Sequence, residues 1–256
     1  MPTTAIPAIF GKLFFGKEIY LEYEDGYFAR KLFKPLKLLI LINEKIGNQL
    51  ISGAILVAQG LKSRVRTENI QIIPGIIDYE LYDYFKSLPA KKDKKVFMYS
   101  GGLDEIRGID IYLKVAEEII EKIEGDFEFW ITGKGPLEPM VHEFTRKYPN
   151  KIYYKGFVSR ERLLEIYDNV YVFLSLQKPD HKFSEVSSPS KVYEFISTGK
   201  FCVGLMDIAI NFENYIYVND LSTLKNVLID FIKNEFYETK PIEKENFNIT
   251  IFDQKS

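Results

Sequence analysis

SSPSKVYEF, residues 187 to 195, is the stretch of this 256-residue chain that says most about its fold. Serine is a favoured helix cap and proline a favoured first helical residue, so Ser188 and Pro189 predict a helix that runs on to Thr198. The segment ends at Gly199-Lys200. We expect unpaired backbone amides at the start of this helix, where they can bind an anion.

Three side chains near the start of this helix suit a nucleotide. Ser190 and Lys191 can help the free amides to hold a diphosphate. Glu194 follows Ser190 by four residues on the same helix face, where its carboxylate can accept hydrogen bonds from hydroxyls such as those of a ribose. A well-capped helix with a Lys191–Glu194 surface pair is the alternative interpretation.

From Val96 onward, short apolar runs alternate with amphipathic runs of helical length. This alternation is typical of strands buried between layers of helices. The predicted strands are 96–100, 127–132, 151–154, 170–174 and 201–204. The predicted helices are 109–123, 137–147, 159–167 and 189–198. The sequence therefore predicts an α/β fold with a parallel, doubly wound sheet that binds its ligand at the carboxyl ends of the strands.

The first ninety residues hold fewer elements of the same kind. The predicted elements are a helix before Gly16, a strand at 18–23, a helix from about Pro35, and strands at 53–58 and 69–73. Residues 87–95, with Pro89 and four lysines, are typical of a linker, although a solvated loop fits them equally. The predicted domains are a partial α/β domain at 1–90, a nucleotide-binding Rossmann-like domain at 91–240 and a polar tail at 241–256.

A glycine turn follows the strand predicted at 96–100. Ser100-Gly101-Gly102-Leu103 leads to Arg107-Gly108 and then to a long helix. Gly101 and Gly102 let the backbone approach a ligand closely, and the helix start together with Arg107 favours a phosphate. A tight turn with a surface arginine is the alternative, and the third glycine of the dinucleotide fingerprint is absent.

Two further motifs follow the next two predicted strands. Residues 131–136, ITGKGP, place Gly133 in a turn before a helix that Pro136 helps to start. Gly156-Phe157-Val158 can present its backbone to a flat base while Phe157 packs beside it. In isolation, the first motif indicates a tight turn and the second a buried strand end.

Composition excludes several kinds of partner and site. The net charge is −2 and the basic residues are scattered, whereas nucleic acid needs a concentrated positive face, so we expect no nucleic-acid partner. Cys202 is the only cysteine, and His142 and His181 stand far apart in the sequence, so we expect no disulfide and no metal site.

The sequence predicts neither a membrane-spanning helix nor a secretion signal. No apolar run reaches the roughly 18 residues that a bilayer-spanning helix requires. The start of the chain lacks the basic region of a secretion signal. We therefore expect a cytoplasmic protein.

In this order, after successive strands, the motifs resemble the C-terminal nucleotide-binding domain of glycosyltransferase family four, the group 1 glycosyltransferases of GT-B architecture. That domain carries a glycine-arginine-leucine turn leading to a lysine-glycine pair, a glycine-x-glycine-proline turn, a glycine-aromatic-valine strand end, and a proline-serine-lysine helix with a glutamate. The resemblance covers about 94–218, and 53–78 resembles the end of the family's acceptor-side domain. It implies a GT-B fold with one nearly complete Rossmann-like domain and a partial second α/β domain.

The resemblance also implies roles for individual residues. Arg107 matches the lysine that binds the donor diphosphate, and Gly101, Gly102 and Gly133 lie in the turns beside it. Phe157 and Val158 match the segment whose backbone meets the base, and Glu194 matches the glutamate that binds ribose. Ser190 and Lys191 fall where phosphate and sugar are handled. Glu24 and Asp25 align with a histidine-aspartate pair near the transferred sugar and are the candidate catalytic residues.

The chain departs from the family pattern at several positions. Gly102 replaces the diphosphate arginine, Val186 stands where an earlier glutamate is expected, and Phe201 replaces a proline. Glu24 replaces the histidine. Some branches of the family lack the first glutamate, so these differences indicate a branch and leave the sugar open. A glycine-rich first strand and a closing helix are also missing, so we expect a chain truncated at both ends.

The activity implied is transfer of a sugar from a nucleoside-diphosphate sugar, with retention at the anomeric carbon and without a metal or other cofactor. The acceptor is a saccharide or a lipid-linked molecule, as in polysaccharide or glycoconjugate biosynthesis. A catalytically inactive nucleotide-binding or interaction module is the alternative, and a sugar epimerase with two Rossmann domains is a third interpretation. The apolar, lysine-bearing stretch 32–42 suits peripheral contact with the inner face of the membrane, although core packing fits it as well.

Overall fold

The computed structural model describes residues 2–24, 34–89, 94–208, 212–234 and 237. Within these residues, nine strands form two parallel sheets. The strands are β1 (Tyr20–Tyr23), β2 (Gly53–Leu56), β3 (Ile70–Ile72), β4 (Lys95–Ser100), β5 (Phe127–Thr132), β6 (Ile152–Tyr154), β7 (Val172–Ser175), β8 (Phe201–Gly204) and β9 (Tyr215–Tyr217). The helices are α1 (Pro2–Phe15), α2 (Lys34–Gly47), α3 (Tyr79–Ser87), α4 (Ile109–Ile120), α5 (Glu138–Lys147), α6 (Arg160–Asp168), α7 (Ser190–Ile196) and α8 (Leu221–Lys233).

The larger sheet has the order β6-β5-β4-β7-β8-β9, and every neighbouring pair is parallel. The chain therefore winds outward from β4 in one direction, returns, and winds outward from β7 in the other. Such a reversal opens a crevice at the carboxyl ends of the two central strands, which is where doubly wound sheets bind ligands. The predicted α/β fold with a doubly wound parallel sheet is confirmed.

The two faces of this sheet are covered by helices because its strands are apolar on both sides. Phe97 and Tyr99 of β4 pack in a core with α4 and α8, whereas Val96 and Met98 pack on the opposite face with α3, α6 and α7. Successive side chains of a strand point to opposite faces, so one buried run supplies both cores. The element order and the layers follow from this pattern.

Three elements of this unit were not among those predicted. β9 and α8 follow β8, and α8 buries Leu224, Leu228 and Phe231 against the core. α3 is capped by Asp78, whose carboxylate accepts from the Leu81 amide at 2.9 Å, and it packs against the core that contains Met98. The predicted boundary at 87–95 stays a prediction.

The smaller sheet has the order β1-β2-β3, again with parallel neighbours. A 3-10 helix, Gln59–Arg64, follows β2 and inserts Leu61 between Ala54 and Leu56 of that strand and Val186 of the larger unit. The two units thus share this cluster. The predicted tail, 241–256, lies outside the described residues. None of the helices in the described ranges is long and apolar enough to cross a bilayer.

Candidate active site

A cleft opens at the carboxyl ends of β4 and β7, at the point where the sheet reverses direction. Its walls come from the ends of both strands, from the loop before α4 and from the start of α7. The lining residues are Tyr99, Ser100, Gly101, Arg107, Leu174, Ser175, Leu176, Gln177, Ser188, Pro189, Ser190, Lys191 and Phe195. The topology therefore brings together four residues that the sequence analysis selected: Gly101, Arg107, Ser190 and Lys191.

The glycine turns behind the cleft are packed backbone against backbone. Gly133 has a φ of +133°, and a Cβ placed on it would lie 1.8 Å from the carbonyl oxygen of Gly101. The Gly133 amide donates to the carbonyl oxygen of Gly156 at 3.0 Å. Because no side chain fits between these turns, the loops after β4, β5 and β6 form one continuous edge.

Two tyrosine hydroxyls fix the end of β4. Tyr99 donates to the carbonyl oxygen of Gly102 at 2.6 Å, and burial raises the pKa of Tyr99 above its ordinary value. Tyr167 of α6 donates to the Ser100 hydroxyl at 3.0 Å, and burial likewise raises the pKa of Tyr167. Both hydroxyls therefore stay protonated and act as donors that hold the turn in place.

Arg107 stands on the turn that leads into α4. Its amide donates to the Asp104 carboxylate at 2.9 Å, and its Nε lies 3.5 Å from the other carboxylate oxygen. Gly108 follows with a φ of +76°, and a Cβ there would lie 2.0 Å from the Leu176 carbonyl oxygen. The turn thus packs closely on the end of β7, while the Arg107 side chain remains 45% exposed at the cleft.

The start of α7 differs from the prediction. The helix begins at Ser190, and Ser188 does not cap it because its hydroxyl donates to the carbonyl oxygen of Pro74. The Ser190 amide donates to the Ser188 carbonyl oxygen at 2.9 Å, so it is not one of the free amides that the sequence predicted. The segment at Pro74 supplies an acceptor from far along the chain, and this tertiary contact overrides the local capping preference.

Glu194 lies in a network of three charged groups. Its Oε2 accepts from Lys191 Nζ at 2.6 Å and its Oε1 from Arg160 Nη1 at 2.5 Å. Burial pushes the pKa of Glu194 upward, but the two cations outweigh it and hold the pKa below its ordinary value. The Lys191–Glu194 pair proposed as the alternative interpretation is therefore present, although the Glu194 side chain is 19% exposed and carries a second cation.

The loop after β6 places an aromatic ring in solvent. Phe157 is 69% exposed, and Lys134 Nζ lies 4.2 Å from its ring centroid. Val158 packs against the core beside α6 and anchors this loop. A buried strand end, the alternative interpretation of this motif, fits neither residue, because β6 ends at Tyr154, Val158 is half-buried and Phe157 is exposed.

Glu24, the one member of the candidate catalytic pair that the structure describes, is not part of the cleft. Glu24 follows β1 and is exposed, and it is not among the residues that line the cleft. Asp25 lies outside the described residues. The assignment of these two residues to catalysis stays a prediction.

Several residues that shape the site were missed by the sequence analysis. Gln177 is buried and donates to the hydroxyls of Ser184 and Ser187, which orders the loop between β7 and α7. Arg160 was also missed, although a cation at the first position of a helix is electrostatically unfavourable and was a visible signal. Among the described residues, no group of three or more His, Cys, Asp or Glu side chains is placed to hold a metal ion.

A model of the protein family described as "Glycosyl transferases group 1" matches residues 94–227, just over half of the chain. No curated protein sequence matches the chain.

Solved structures share the fold at low sequence identity. HepE from Anabaena in complex with UDP matches with a TM-score of 0.64 at 13% identity, over 91% of this chain and 67% of HepE. Sucrose-phosphate synthase from Thermosynechococcus elongatus gives 0.62 at 15% identity, over 91% of this chain and 63% of that protein. TarM gives 0.60 at 14% identity, over 91% of this chain and 47% of TarM. The chain thus spans between about half and two thirds of these proteins.

Proposed function

Because the chain belongs to the group 1 glycosyl transferases, we propose that it binds a nucleoside-diphosphate sugar in the cleft between β4 and β7 and transfers the sugar with retention at the anomeric carbon. The observation that carries this proposal is the convergence of Arg107 and Lys191 on one cleft at the reversal point of the sheet. Arg107 comes from the turn before α4 and Lys191 from the first turn of α7, and a doubly charged diphosphate is the ligand that such a pair suits.

The chemistry follows from the leaving group. As the bond to the sugar breaks, negative charge grows on the diphosphate oxygens and the sugar carbon becomes cation-like. Arg107 and Lys191 are placed to stabilise the growing negative charge, and Ser190 adds a hydroxyl donor beside them. No step of this scheme requires a metal ion.

The nucleoside is assigned to the residues beside the two cations. Glu194 is ionised at neutral pH because its pKa is held below the ordinary value, so it can accept hydrogen bonds from ribose hydroxyls. The exposed ring of Phe157 and the backbone at Val158 lie on the loop after β6, which the Gly133–Gly156 hydrogen bond joins to the edge of the cleft. We assign this loop to the base.

The acceptor is proposed to be a saccharide or a lipid-linked molecule that approaches from the smaller unit, with Glu24 and Asp25 near the transferred sugar. Two helices of this unit expose apolar side chains: Phe10, Leu13 and Phe14 on α1, and Leu38, Ile42 and Ile46 on α2. Lys34 and Lys45 are exposed on α2. Apolar side chains beside lysines favour an anionic lipid surface, so we place the enzyme at the cytoplasmic face of a membrane.

Calorimetry with UDP and with GDP tests the donor site. Arg107→Ala and Glu194→Ala should each weaken binding by about 1 to 3 kcal/mol if both side chains make charged hydrogen bonds to the ligand. Arg162→Ala and Glu165→Ala are matched controls, because these residues form an exposed pair on α6. Unchanged affinity in both site variants would sink the assignment.

A donor-hydrolysis assay tests catalysis separately from binding. Release of free sugar from UDP-glucose or another donor, abolished by Arg107→Ala, is the expected result. Binding without turnover would instead identify a catalytically inactive nucleotide-binding module. Sedimentation with vesicles containing anionic lipid tests the membrane contact, with Phe14→Glu expected to reduce the bound fraction.

A further inference from the structure

We propose that Arg160 is a positioning residue that holds the Glu194 carboxylate for the ribose and so allows Lys191 to leave Glu194 and bind the diphosphate. This inference rests on the donor site proposed above. It assigns a role to a residue outside the cleft and outside every motif that the sequence analysis selected. It also makes ribose recognition and diphosphate binding depend on the same three charged groups.

The geometry gives each carboxylate oxygen of Glu194 its own cation. Arg160 Nη1 lies 2.5 Å from Oε1, and Lys191 Nζ lies 2.6 Å from Oε2. The Glu194 side chain is 19% exposed, compared with 49% for Arg160 and 35% for Lys191. The carboxylate is thus the least solvated member, and it needs a partner at all times.

The two cations differ in where they can go. Lys191 lines the cleft together with Arg107, and its ammonium sits on a flexible stem that can turn from Glu194 toward a diphosphate. Arg160 and Glu194 are not among the residues that line the cleft, so Lys191 is the member of the network that reaches it. Arg160 occupies the first position of α6, which the Ser159 hydroxyl caps and which Val158 anchors in the core. Lys191 is therefore the cation that can turn to the diphosphate, and Arg160 the cation that can stay with Glu194.

Helix stability does not explain Arg160 at this position. Cations are favoured at the C-terminal end of a helix and disfavoured at the N-terminal end. The nearby arginine of the same helix, Arg162, pairs with Glu165 on its own helix, whereas Arg160 pairs across to α7. The pair between α6 and α7 indicates that Arg160 positions the Glu194 carboxylate.

Arg160 also leaves room for the ribose. An ionised carboxylate offers about four lone-pair sites, so Glu194 can accept from Arg160 and still accept from two hydroxyls once Lys191 has moved away. Without Arg160, departure of Lys191 would leave a poorly solvated carboxylate with the neutral Tyr167 hydroxyl beside it and without a cation, so Lys191 would stay in place. Loss of Arg160 should therefore weaken both ribose recognition and the contact with the diphosphate.

The test compares UDP with 2′-deoxy-UDP by calorimetry, in the wild type, Arg160→Met and the matched control Arg162→Met. We expect the wild type and the control to prefer UDP by about tenfold, as one charged hydrogen bond to the 2′-hydroxyl would give. In Arg160→Met the preference should fall to less than about threefold. Arg160→Lys should restore part of it, because a cation returns without the planar fork.

Thermal unfolding of each variant separates folding from recognition. If Arg160→Met does not fold, Arg160→Gln is measured in its place. A variant that is less stable but still prefers UDP as strongly as the wild type would overturn the positioning role and leave the donor site intact. If UDP, GDP and ADP all fail to bind the wild type, the proposed function fails, and this inference fails with it.

Discussion

The hydroxyl of Tyr99 lies 2.6 Å from the carbonyl oxygen of Gly102 and 3.3 Å from that of Arg107, and it donates to both. One buried side chain thus fastens the two ends of the turn that presents Arg107 to the cleft. Burial raises the pKa of Tyr99, so the hydroxyl keeps its proton at any ordinary pH. The position of the Arg107 cation therefore depends on the hydroxyl of Tyr99, a residue to which our proposal gives no direct role in binding the ligand.

Tyr99→Phe should therefore weaken nucleotide binding as well as stability. Loss of the hydroxyl removes its hydrogen bonds to the turn. We therefore expect the free energy of unfolding and the binding free energy for UDP each to weaken by about 1 kcal/mol. Tyr112→Phe is the control, because Tyr112 is buried nearby and its hydroxyl also bonds two carbonyls, those of Phe97 and Trp130. Tyr112→Phe should lower stability but leave the affinity for UDP unchanged. Equal losses of affinity in the two variants would contradict the role of Tyr99.

Gly133→Ala should disrupt the packed edge behind the cleft. Its Cβ would overlap the backbone of Gly101, which cannot move without displacing the turn after β4. We expect the free energy of unfolding to fall by at least about 2 kcal/mol, because backbone strain at positive φ adds to the steric overlap. Gly156→Ala controls for strain alone, since Gly156 has a φ of +76° and nothing within 4 Å of its Cβ position. Denaturant unfolding measures both, and similar losses would show that the close packing is unimportant.

Gly60→Ala should loosen the contact between the two units. Its Cβ would lie 2.2 Å from the carbonyl oxygen of Glu185. We expect the free energy of unfolding to fall by about 1 to 3 kcal/mol, because the 3-10 helix 59–64 must shift away from the larger unit. Gly47→Ala meets nothing within 4 Å and should cost far less. Unfolding followed by the fluorescence of Trp130, the single tryptophan, tests whether the substitution changes the stability of the larger unit.

Glu194→Gln should destabilise the protein at neutral pH and much less in acid. The pKa of Glu194 is depressed in the folded state, so its ionised form stabilises the fold above the unfolded pKa of about 4.3. That contribution is lost as the pH falls through the folded pKa. We expect a difference from the wild type of about 1 to 3 kcal/mol at pH 7 that shrinks below about pH 4.

Glu165→Gln is the control for this pH dependence. Its carboxylate pairs with Arg162 at an exposed position of α6, so the substitution should change stability by less than about 1 kcal/mol. Urea unfolding at a series of pH values measures both variants. A loss for Glu194→Gln that stays constant down to pH 3 would show that ionisation of Glu194 does not stabilise the fold.

The layer order and the turns of the larger unit could be predicted because their signals are local. A few neighbouring residues are enough to indicate each of these elements. Examples are the buried run from Val96 to Ser100, the glycines at 101, 102 and 133, and the amphipathic helix at 109–120. α3 was not predicted, and its buried side chains Leu81 and Phe85 are defined by packing on the sheet face that holds Met98. The capping role of Ser188 was wrong for the same kind of reason, since Pro74 lies 114 residues away.

The doubly wound fold and the family can be recognised from the amino-acid sequence alone, because periodicity and motif order are patterns along the chain that do not depend on long-range contacts. The sharing of charges within the site follows only from the three-dimensional packing. Arg160 and Glu194 are 34 residues apart, and their contact exists because α6 and α7 pack on the same face of the sheet. A charged pair of this kind depends on distance in space, and a pattern read along the chain contains no information about that distance.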